Sequence, residues 1–422
     1  MFLRPAACRL GLILAGSLLW AAGGDPARAQ EGSSGFTYYK DILPIWQKYC
    51  IHCHHTGGLA PQSLETYKLA RSWIRTSRKM MQEGTMPPWH GGEDHARWKN
   101  AVMPTLEEIE IVHKWVEDEA PEGDEADAPT PMDFSNVWLW GEPDRTLALA
   151  EPFKVPAEGA EIYRAFVLGE ELTEELWLEG VQLAPSEPDV VFHMMLSAAP
   201  AAVARKADEA DPAPGFVAFD GGWGEGTKDF LAFWNKGMTV YEKFPDGSGV
   251  LIPKGYIFVL QIHYMTVGEE VSDQARVGLY LAKTPQAREL KAISIENRKI
   301  RLPADTYDEE IKAEARFEKP ITLYQLLPRM HYLGREMEIA AEIPGEGNRK
   351  LLHVRDYDYK LQAAYTPVEP IALPAGTRIL VTAYYENSSD NPNNPNMALK
   401  DAAYGPGPQH EIMSLVLQYT EE

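Results

Sequence analysis

The sequence predicts a multidomain protein in which a small all-α domain precedes a large all-β region of antiparallel sandwich modules. Apolar residues recur at helical spacing from about residue 36 to residue 119, and short alternating apolar runs broken by Pro and Gly follow beyond residue 137. The 422 residues, 45% of them hydrophobic, suffice for two or three domains with separate cores. Lys and Arg total 40 against 62 Asp and Glu, and this net charge of -22 argues against nucleic acid as a partner.

The first 29 residues have the pattern of a secretory signal peptide. Arg4 and Arg9 precede a short apolar run at residues 10–22, and Ala27-Arg28-Ala29 is a small-x-small cleavage site. We expect cleavage after Ala29 and a periplasmic or secreted mature protein. An uncleaved membrane anchor is the alternative, although the run is short for a membrane-spanning helix and no later stretch is apolar enough to be one.

The helical domain is expected at residues 30–119, and an acidic linker at residues 120–136. Amphipathic segments begin near residues 38 and 63, and the capping-box pattern from Thr105 to Glu108 opens a third segment that runs to Val116. The stretch that follows is acidic and rich in Pro and Ala, so we expect it to be self-repelling and extended. Beyond it, runs such as residues 256–264 and 414–419 are typical of sandwich strands.

The motif with the clearest chemistry is Cys50-Ile51-His52-Cys53-His54, which matches the C-x-x-C-H pattern of covalent haem attachment. Two thiols three residues apart can form thioethers to the two vinyl groups of one haem, and His54 would then be the proximal iron ligand. A zinc half-site and a redox dithiol are the alternatives. Zinc would need further cysteines, and none follows Cys53. A redox pair would need a βαβ setting, whereas this one is helical.

Met86 is the candidate distal iron ligand. It stands directly before Pro87 and Pro88, which stiffen a loop, and a thioether there would complete His/Met ligation. Met86 could instead be core packing, since the chain has 14 methionines. Four nearby histidines are alternative ligands that would lower the haem potential: His52, His55, His90 and His95.

Several stretches around this motif resemble one particular bacterial cytochrome c domain. The matching stretches are residues 41–45, 50–54, 58–61, 63–67 and 86–90. That domain is found fused ahead of copper type II, ascorbate-dependent monooxygenase modules of the peptidylglycine α-hydroxylating and dopamine β-monooxygenase family. The resemblance implies one haem c, followed by two antiparallel, jelly-roll-like β-sandwich domains, which we expect at residues 137–283 and 284–422.

The resemblance also implies two copper sites, but this sequence departs from the ligand pattern of both. In the family, one copper is bound by a His-His pair and a later histidine, and the other by a His-x-His pair and a methionine. The corresponding stretches here are residues 189–195, 260–264, 328–334 and 409–413.

At the first copper site His193 and His263 remain, and Phe192 replaces the third histidine. At the second, His331 remains, but Arg329 replaces a histidine, and its permanent charge would repel copper. Ile412 aligns with the methionine, and Met413 one step on is the other candidate ligand of this site with His331. Met413 should point to the opposite face of a strand unless a bulge intervenes. The remaining histidines could be ordinary buried residues. The first pair could still bind copper, with water and one of three methionines: Met194, Met195 or Met265.

These observations favour a periplasmic c-type cytochrome that transfers electrons through one haem. Its copper-monooxygenase-like module would have lost its copper chemistry and would serve as a scaffold or docking surface for a redox protein. Two alternatives stay open. The chain could be an active copper monooxygenase that hydroxylates a C–H bond with O2, with electrons from the haem. It could also be a noncatalytic subunit that feeds electrons to an intact paralogue in a hetero-oligomer or larger complex.

Overall fold

A computed structural model describes residues 34–60, 62–92, 97–134, 137–219, 224–236, 243–396 and 398–422. The predicted signal peptide at residues 1–29 lies outside the described residues. Strands make up 39% of the chain and helices 14%, so the prediction of a mostly β protein with sandwich modules is confirmed. No helix in the described part of the chain combines the length and apolar character needed to cross a membrane.

Among the described residues, the helical region contains a π-helical turn and three α-helices. The turn is Tyr38–Ile42, and the helices are α1 (Leu43–Tyr49), α2 (Tyr67–Gln82) and α3 (Leu106–Glu117). Local sequence explains where the helices begin. Thr66 caps α2 by accepting a hydrogen bond from the backbone of Leu69, and Thr105 and Glu108 form the predicted capping box of α3.

The helices share a small aromatic core, against which the acidic segment packs. Tyr38, Trp46 and Trp115 are each at most 1% exposed. The Trp115 indole donates a hydrogen bond to the carbonyl of Pro121 at 2.9 Å, and the Gln47 amide donates one to the carbonyl of Thr130 at 2.9 Å. In its described part, up to residue 134, the segment predicted as a linker therefore lies along the helical region.

The first β sandwich follows. Its elements are β1 (Arg145–Ala148), β2 (Phe153–Val155), β3 (Ile162–Leu168), β4 (Leu176–Ala184), β5 (Val191–Pro200), α4 (Ala201–Glu209), β6 (Lys228–Asn235), β7 (Ser248–Ile252), β8 (Tyr256–Tyr264), β9 (Val271–Asp273), β10 (Arg276–Leu281) and β11 (Arg288–Glu289). A sheet of order β1-β10-β4-β7-β11 faces a sheet of order β3-β8-β5-β6, and β2 pairs with β9. The two sheets enclose a core of Leu, Val and Ile side chains.

The second sandwich has the same two-layer arrangement. Its strands are β12 (Lys291–Glu296), β13 (Arg301–Leu302), β14 (Thr306–Arg316), β15 (Ile321–Met330), β16 (Gly334–Ile343), β17 (Gly347–Val354), β18 (Ile371–Leu373), β19 (Arg378–Asn387), β20 (Ala402–Ala403) and β21 (Met413–Glu421). A sheet of order β12-β21-β15-β18 faces one of order β14-β19-β16-β17. In β19 buried and partly exposed residues alternate strictly, as expected of a strand with one face on the core.

Strands β5 and β8 are buried along almost their whole length, because both faces of their sheet are covered. The inner face packs on the core of the first sandwich. At one end of the outer face lies α4, and at the other end lies the second sandwich, where Met195 packs with Leu327 and Val416. The face of the first sandwich that carries His193 and His263 is thus held directly against the second sandwich.

Candidate functional site

The C-x-x-C-H motif forms a tight turn at the end of α1. The backbone N–H of Cys50 donates to the carbonyl of Trp46 at 2.8 Å, and the N–H groups of Cys53 and His54 both donate to the carbonyl of Cys50, at 3.1 and 2.9 Å. These bonds wind the chain so that both thiols and the His54 imidazole line a single cavity.

The imidazole of His54 is oriented by a backbone contact. Its Nδ1 donates a hydrogen bond to the carbonyl oxygen of Gln62 at 3.0 Å. Nδ1 therefore carries the proton, and Nε2 has a lone pair available for a metal. This is the arrangement expected of a histidine that serves as an axial ligand.

The cavity has a volume of about 560 Å³ and is mostly apolar. One wall comes from the helical region, and the other comes from the two β sandwiches, which together form the β module. The helical wall comprises Trp46, Tyr49, Cys50, Cys53, His54, Leu59, Ala60, Gln62, Leu64, Trp73, Thr76, Ser77, Met80, Met81, Met86, Pro87 and Pro88. The β wall comprises Asp189, Val191, Phe192, Lys236, Met265, Thr266, Val267, Tyr332, Lys360 and Leu361. A cavity of this size and character is in the range that encloses an organic cofactor.

The two thiols are partly buried, and their surroundings disfavour the thiolate form. Burial raises the pKa of Cys50 to about 12 and also raises the pKa of Cys53. A redox-active dithiol needs a cysteine whose pKa is lowered, because the thiolate is the reactive form. The surroundings of this pair therefore do not resemble those of a redox dithiol.

Methionines, rather than the alternative histidines, reach the cavity. Met80, Met81 and Met86 of the helical region and Met265 of the β module line it. Met86 is 44% exposed, which is more than simple core packing would give. Among the alternatives, His52, His55 and His90 are absent from the lining, and His95 lies outside the described residues.

The donors and shape of the cavity fit a haem c. Two cysteines can hold its vinyl carbons, an oriented imidazole and a thioether can hold its iron, and an apolar lining can enclose its macrocycle.

The three histidines that the resemblance places at copper-ligand positions meet at the contact between the sandwiches. A β-bulge at Phe192 in β5 leaves Val191 opposite Tyr264 and His193 opposite His263 on β8. The rings of His193 and His263 lie 5.0 Å apart between centroids. From the second sandwich, His331 follows β15 and lies in the same buried cluster, and all three histidines are at most 3% exposed.

Aromatic rings fill the space between the histidines of the first sandwich and His331 of the second. The ring of Phe192 lies 5.0 Å from that of His263 and stacks on Tyr359 at 4.6 Å. Tyr359 in turn lies 5.2 Å from His331. Since Phe192 also lines the cavity, it forms a wall one side chain thick between the cavity and the histidine cluster.

The histidines are held neutral. Burial and the nearby charge of Arg329 lower the pKa of His193 well below its usual value, and burial lowers the pKa of His331 to about 3. His263 donates from Nε2 to Glu161 at 3.1 Å, and His331 donates from Nδ1 to the carbonyl of His410 at 3.2 Å. Within this cluster, three buried ring nitrogens have no hydrogen-bond partner in the described structure: both of His193, and Nδ1 of His263.

The residues of the second copper pattern do not fit copper. Arg329 is 2% exposed and interacts with Gln362 and with the faces of Phe230 and Phe233, so its charge is buried inside the cluster. Met413 pairs with Met330 and belongs to the core of the second sandwich, on the opposite face of the sheet from His331. The first pattern keeps two neutral histidines with available lone pairs, which is a partial site for a soft metal.

Sequence reasoning missed the residues that support the cluster. Tyr163 stacks on His263 at 4.0 Å, Glu161 bonds that histidine, and Tyr359 joins the two sandwiches. No local motif marks these residues, although Glu161 and Tyr163 lie where β3 runs beside β8. A second group that sequence reasoning missed is Glu336, Glu338 and His353, whose ligand atoms converge on the strands β16 and β17.

Comparison with known proteins identifies no relative. No family model matches the chain, and no curated protein matches it. Among solved structures, the T13 particle of infectious bursal disease virus matches with a TM-score of 0.19 at 10% identity, covering 66% of this chain and 69% of that chain. The Macrobrachium rosenbergii nodavirus matches with a TM-score of 0.16 at 8% identity, covering 69% and 95%. Dimeric latent PorU from Porphyromonas gingivalis matches with a TM-score of 0.15 at 8% identity, covering 63% and 25%. Similarities this weak carry no argument about fold or function.

Proposed function

We propose that this chain is an exported electron-transfer protein with one haem c, whose helical region is a cytochrome c domain. Its β module is a scaffold of the copper-monooxygenase type that has lost its copper chemistry. The proposal depends on one observation above the others: the C-x-x-C-H turn opens into an apolar cavity that also contains candidate thioether ligands. A haem bound there would supply one-electron chemistry at its iron.

The side chains around the cavity have distinct roles in this proposal. Cys50 and Cys53 would hold the cofactor covalently, and His54 would present Nε2 to the iron because Gln62 fixes the proton on Nδ1. Met86 would supply the distal thioether. The apolar walls would exclude water and so favour electron exchange over reactions at the metal.

The arrangement of the β module supports a scaffold role. Its wall closes the cavity through Phe192 and Tyr332, and Tyr332 packs on Tyr359 with ring centroids 4.3 Å apart. Phe192 occupies the position of a copper-binding histidine, and Arg329 that of another. Packing has therefore taken the place of metal ligation at two of the expected ligand positions.

The positive charge of helix α2 favours an acidic redox protein as the partner. Five cations and no acidic residue occur in α2, although the whole chain has a net charge of -22. Those that are exposed are Lys68, Arg71, Arg75 and Lys79. The same helix lines the cavity with Trp73 and Met80, so an acidic protein that docks on it would approach the haem. An intact paralogue in a hetero-oligomer would be one partner of this kind.

Covalent haem attachment is the direct test. The full chain is produced in a host that matures c-type cytochromes, and its haem is quantified after denaturation and extraction. We expect one haem per wild-type chain, retained after extraction, and none in a variant with both Cys50→Ser and Cys53→Ser. A purified wild-type protein with two free thiols and no haem would contradict the proposal and would reopen the zinc and dithiol interpretations.

Copper binding at His193 and His263 is a second candidate function. It is supported by the three buried ring nitrogens without a partner, since an unpaired buried polar atom normally has a bound water or ion beside it. Copper that binds to the wild type and is lost in His193→Ala would establish this site. Copper binding that is unaffected by that substitution would exclude it.

A further inference from the structure

The two walls of the cavity differ in charge. No Lys, Arg, Asp or Glu belongs to the helical wall, whereas the β wall carries Lys236, Lys360 and Asp189. Lys236 forms an ion pair with Asp189, with 2.8 Å between Nζ and Oδ1. For Lys360, no carboxylate lies within ion-pair distance of Nζ among the described residues.

Backbone contacts hold both lysines at the edge of the aromatic wall. Lys236 follows β6, and its N–H donates to the carbonyl of Phe192 at 3.1 Å. Lys360 directly follows Tyr359, and its N–H donates to the carboxylate of Asp358 at 2.9 Å. Each lysine is therefore adjacent to one of the two stacked rings, Phe192 and Tyr359, that separate the cavity from the histidine cluster. Lys236 belongs to the first sandwich, and Lys360 to the second.

A haem needs cations near it in addition to axial ligands. It carries two propionate carboxylates, at the edge of the macrocycle opposite the vinyl groups. Because Cys50 and Cys53 fix the vinyl edge in the helical wall, the propionates must find partners elsewhere, and burying an unpaired carboxylate is costly. Lys236 and Lys360 are the cations that the described cavity lining offers.

We propose that Lys236 and Lys360 bind the propionates of the haem and that the haem thereby ties the helical region to both sandwiches. This inference rests on the proposed function, because it needs a haem in the cavity. It adds a role for the β module, which supplies the anionic half of the cofactor site. Asp189 competes with one propionate for Lys236, so Lys360 gives the cleaner test.

The test is the midpoint potential of the full, haem-loaded chain between pH 5 and pH 9, measured by spectroelectrochemistry in Lys236→Gln, Lys360→Gln and the double variant. Loss of a nearby cation stabilises ferric over ferrous haem, so each variant lowers the potential, and the double variant lowers it by about the sum. Without its lysine a propionate has a higher pKa, so the potential acquires a fall with rising pH near neutrality. Lys360→Arg restores the wild-type values.

Two controls separate this effect from others. Lys243→Gln removes the same charge from the first sandwich, but Lys243 pairs with Glu179 and does not line the cavity, so the potential should not change. Asp189→Asn leaves Lys236 to the propionate alone and raises the potential. Variants that hold one covalent haem but keep the wild-type potential and pH profile would overturn the inference. A wild-type chain without covalent haem would instead overturn the proposed function.

Discussion

Replacing Arg329 should raise the affinity of the histidine cluster for copper. Arg329 lies near the end of β15 and His331 directly follows that strand, and two residues of extended chain correspond to about 7 Å at about 3.3 Å per residue. At that separation, with an effective dielectric constant of about 20, two unit positive charges repel each other by about 2.4 kcal/mol. Arg329→Gln removes this repulsion from a bound Cu(I) ion, so we expect affinity to rise by about 50-fold.

Competition between the haem-loaded protein and a chromogenic Cu(I) chelator measures this affinity. Arg329→His removes the same charge and adds an imidazole, so it should bind more tightly than Arg329→Gln. Arg335→Gln is the matched control, because Arg335 is 55% exposed and pairs with Glu386 at 3.2 Å, away from the cluster. Equal affinities in the wild type, Arg329→Gln and Arg335→Gln would refute the idea that the buried charge of Arg329 disfavours copper.

Thermal unfolding must accompany the copper measurement. Arg329 interacts with Gln362, Phe230 and Phe233, so its loss leaves a buried amide with fewer partners. We expect a cost of about 1–3 kcal/mol, which a chain with two sandwich cores can tolerate. If Arg329→Gln no longer unfolds cooperatively, Arg329→Met would replace it in the assay, because methionine retains most of the side-chain volume of arginine.

Three further predictions follow from the site. Met86→Ala should lower the haem potential and abolish the thioether-to-iron absorption band, whereas Met265→Leu should leave both unchanged. The reverse result would show that the distal ligand is Met265 of the β module. Oxidation of the haem by ferricyanide should slow as salt concentration increases, because the cations of α2 attract this anion. The double variant Arg71→Glu, Arg75→Glu should invert that salt dependence. A wild-type rate that rises with salt would mean that the net charge of the chain governs the approach of the anion. In the copper-free chain folding lowers the pKa of His331, so the unfolded state takes up a proton first and the free energy of unfolding falls as pH drops below about 6.5, by about 1.4 kcal/mol per pH unit for each such histidine. His331→Gln should make this dependence on pH less steep in urea titrations. An unchanged dependence would show that His331 does not cause it.

Local patterns predicted that a helical region precedes the strands, but they did not predict helix α4 within the first sandwich. The capping box at Thr105 and Glu108 is present, and alternating runs such as residues 377–385 form strands. These features depend on residues close together in sequence, so a single sequence contains them. The acidic segment differs: its charge predicted an extended linker, but Pro121 and Thr130 are bonded to the helical region, which only the tertiary structure reveals.

The candidate site could be predicted only in part. The C-x-x-C-H spacing by itself predicts covalent haem attachment. The β wall of the cavity, by contrast, brings together residues as far apart in sequence as Asp189 and Lys360. The bulge at Phe192 could not be foreseen either, because it depends on the register between β5 and β8. That bulge places the ring of Phe192 between the cavity and the histidines.

The ratio of copper to iron in the purified, haem-loaded chain tests whether the β sandwiches have lost copper chemistry. The protein is incubated with copper, freed of excess metal and analysed for both elements. An electron-transfer protein whose β sandwiches bind no copper should contain one iron per chain and essentially no copper. Two coppers per iron would contradict this expectation, since other donors would then have to rebuild both sites around Arg329. One copper would point to His193 and His263 alone.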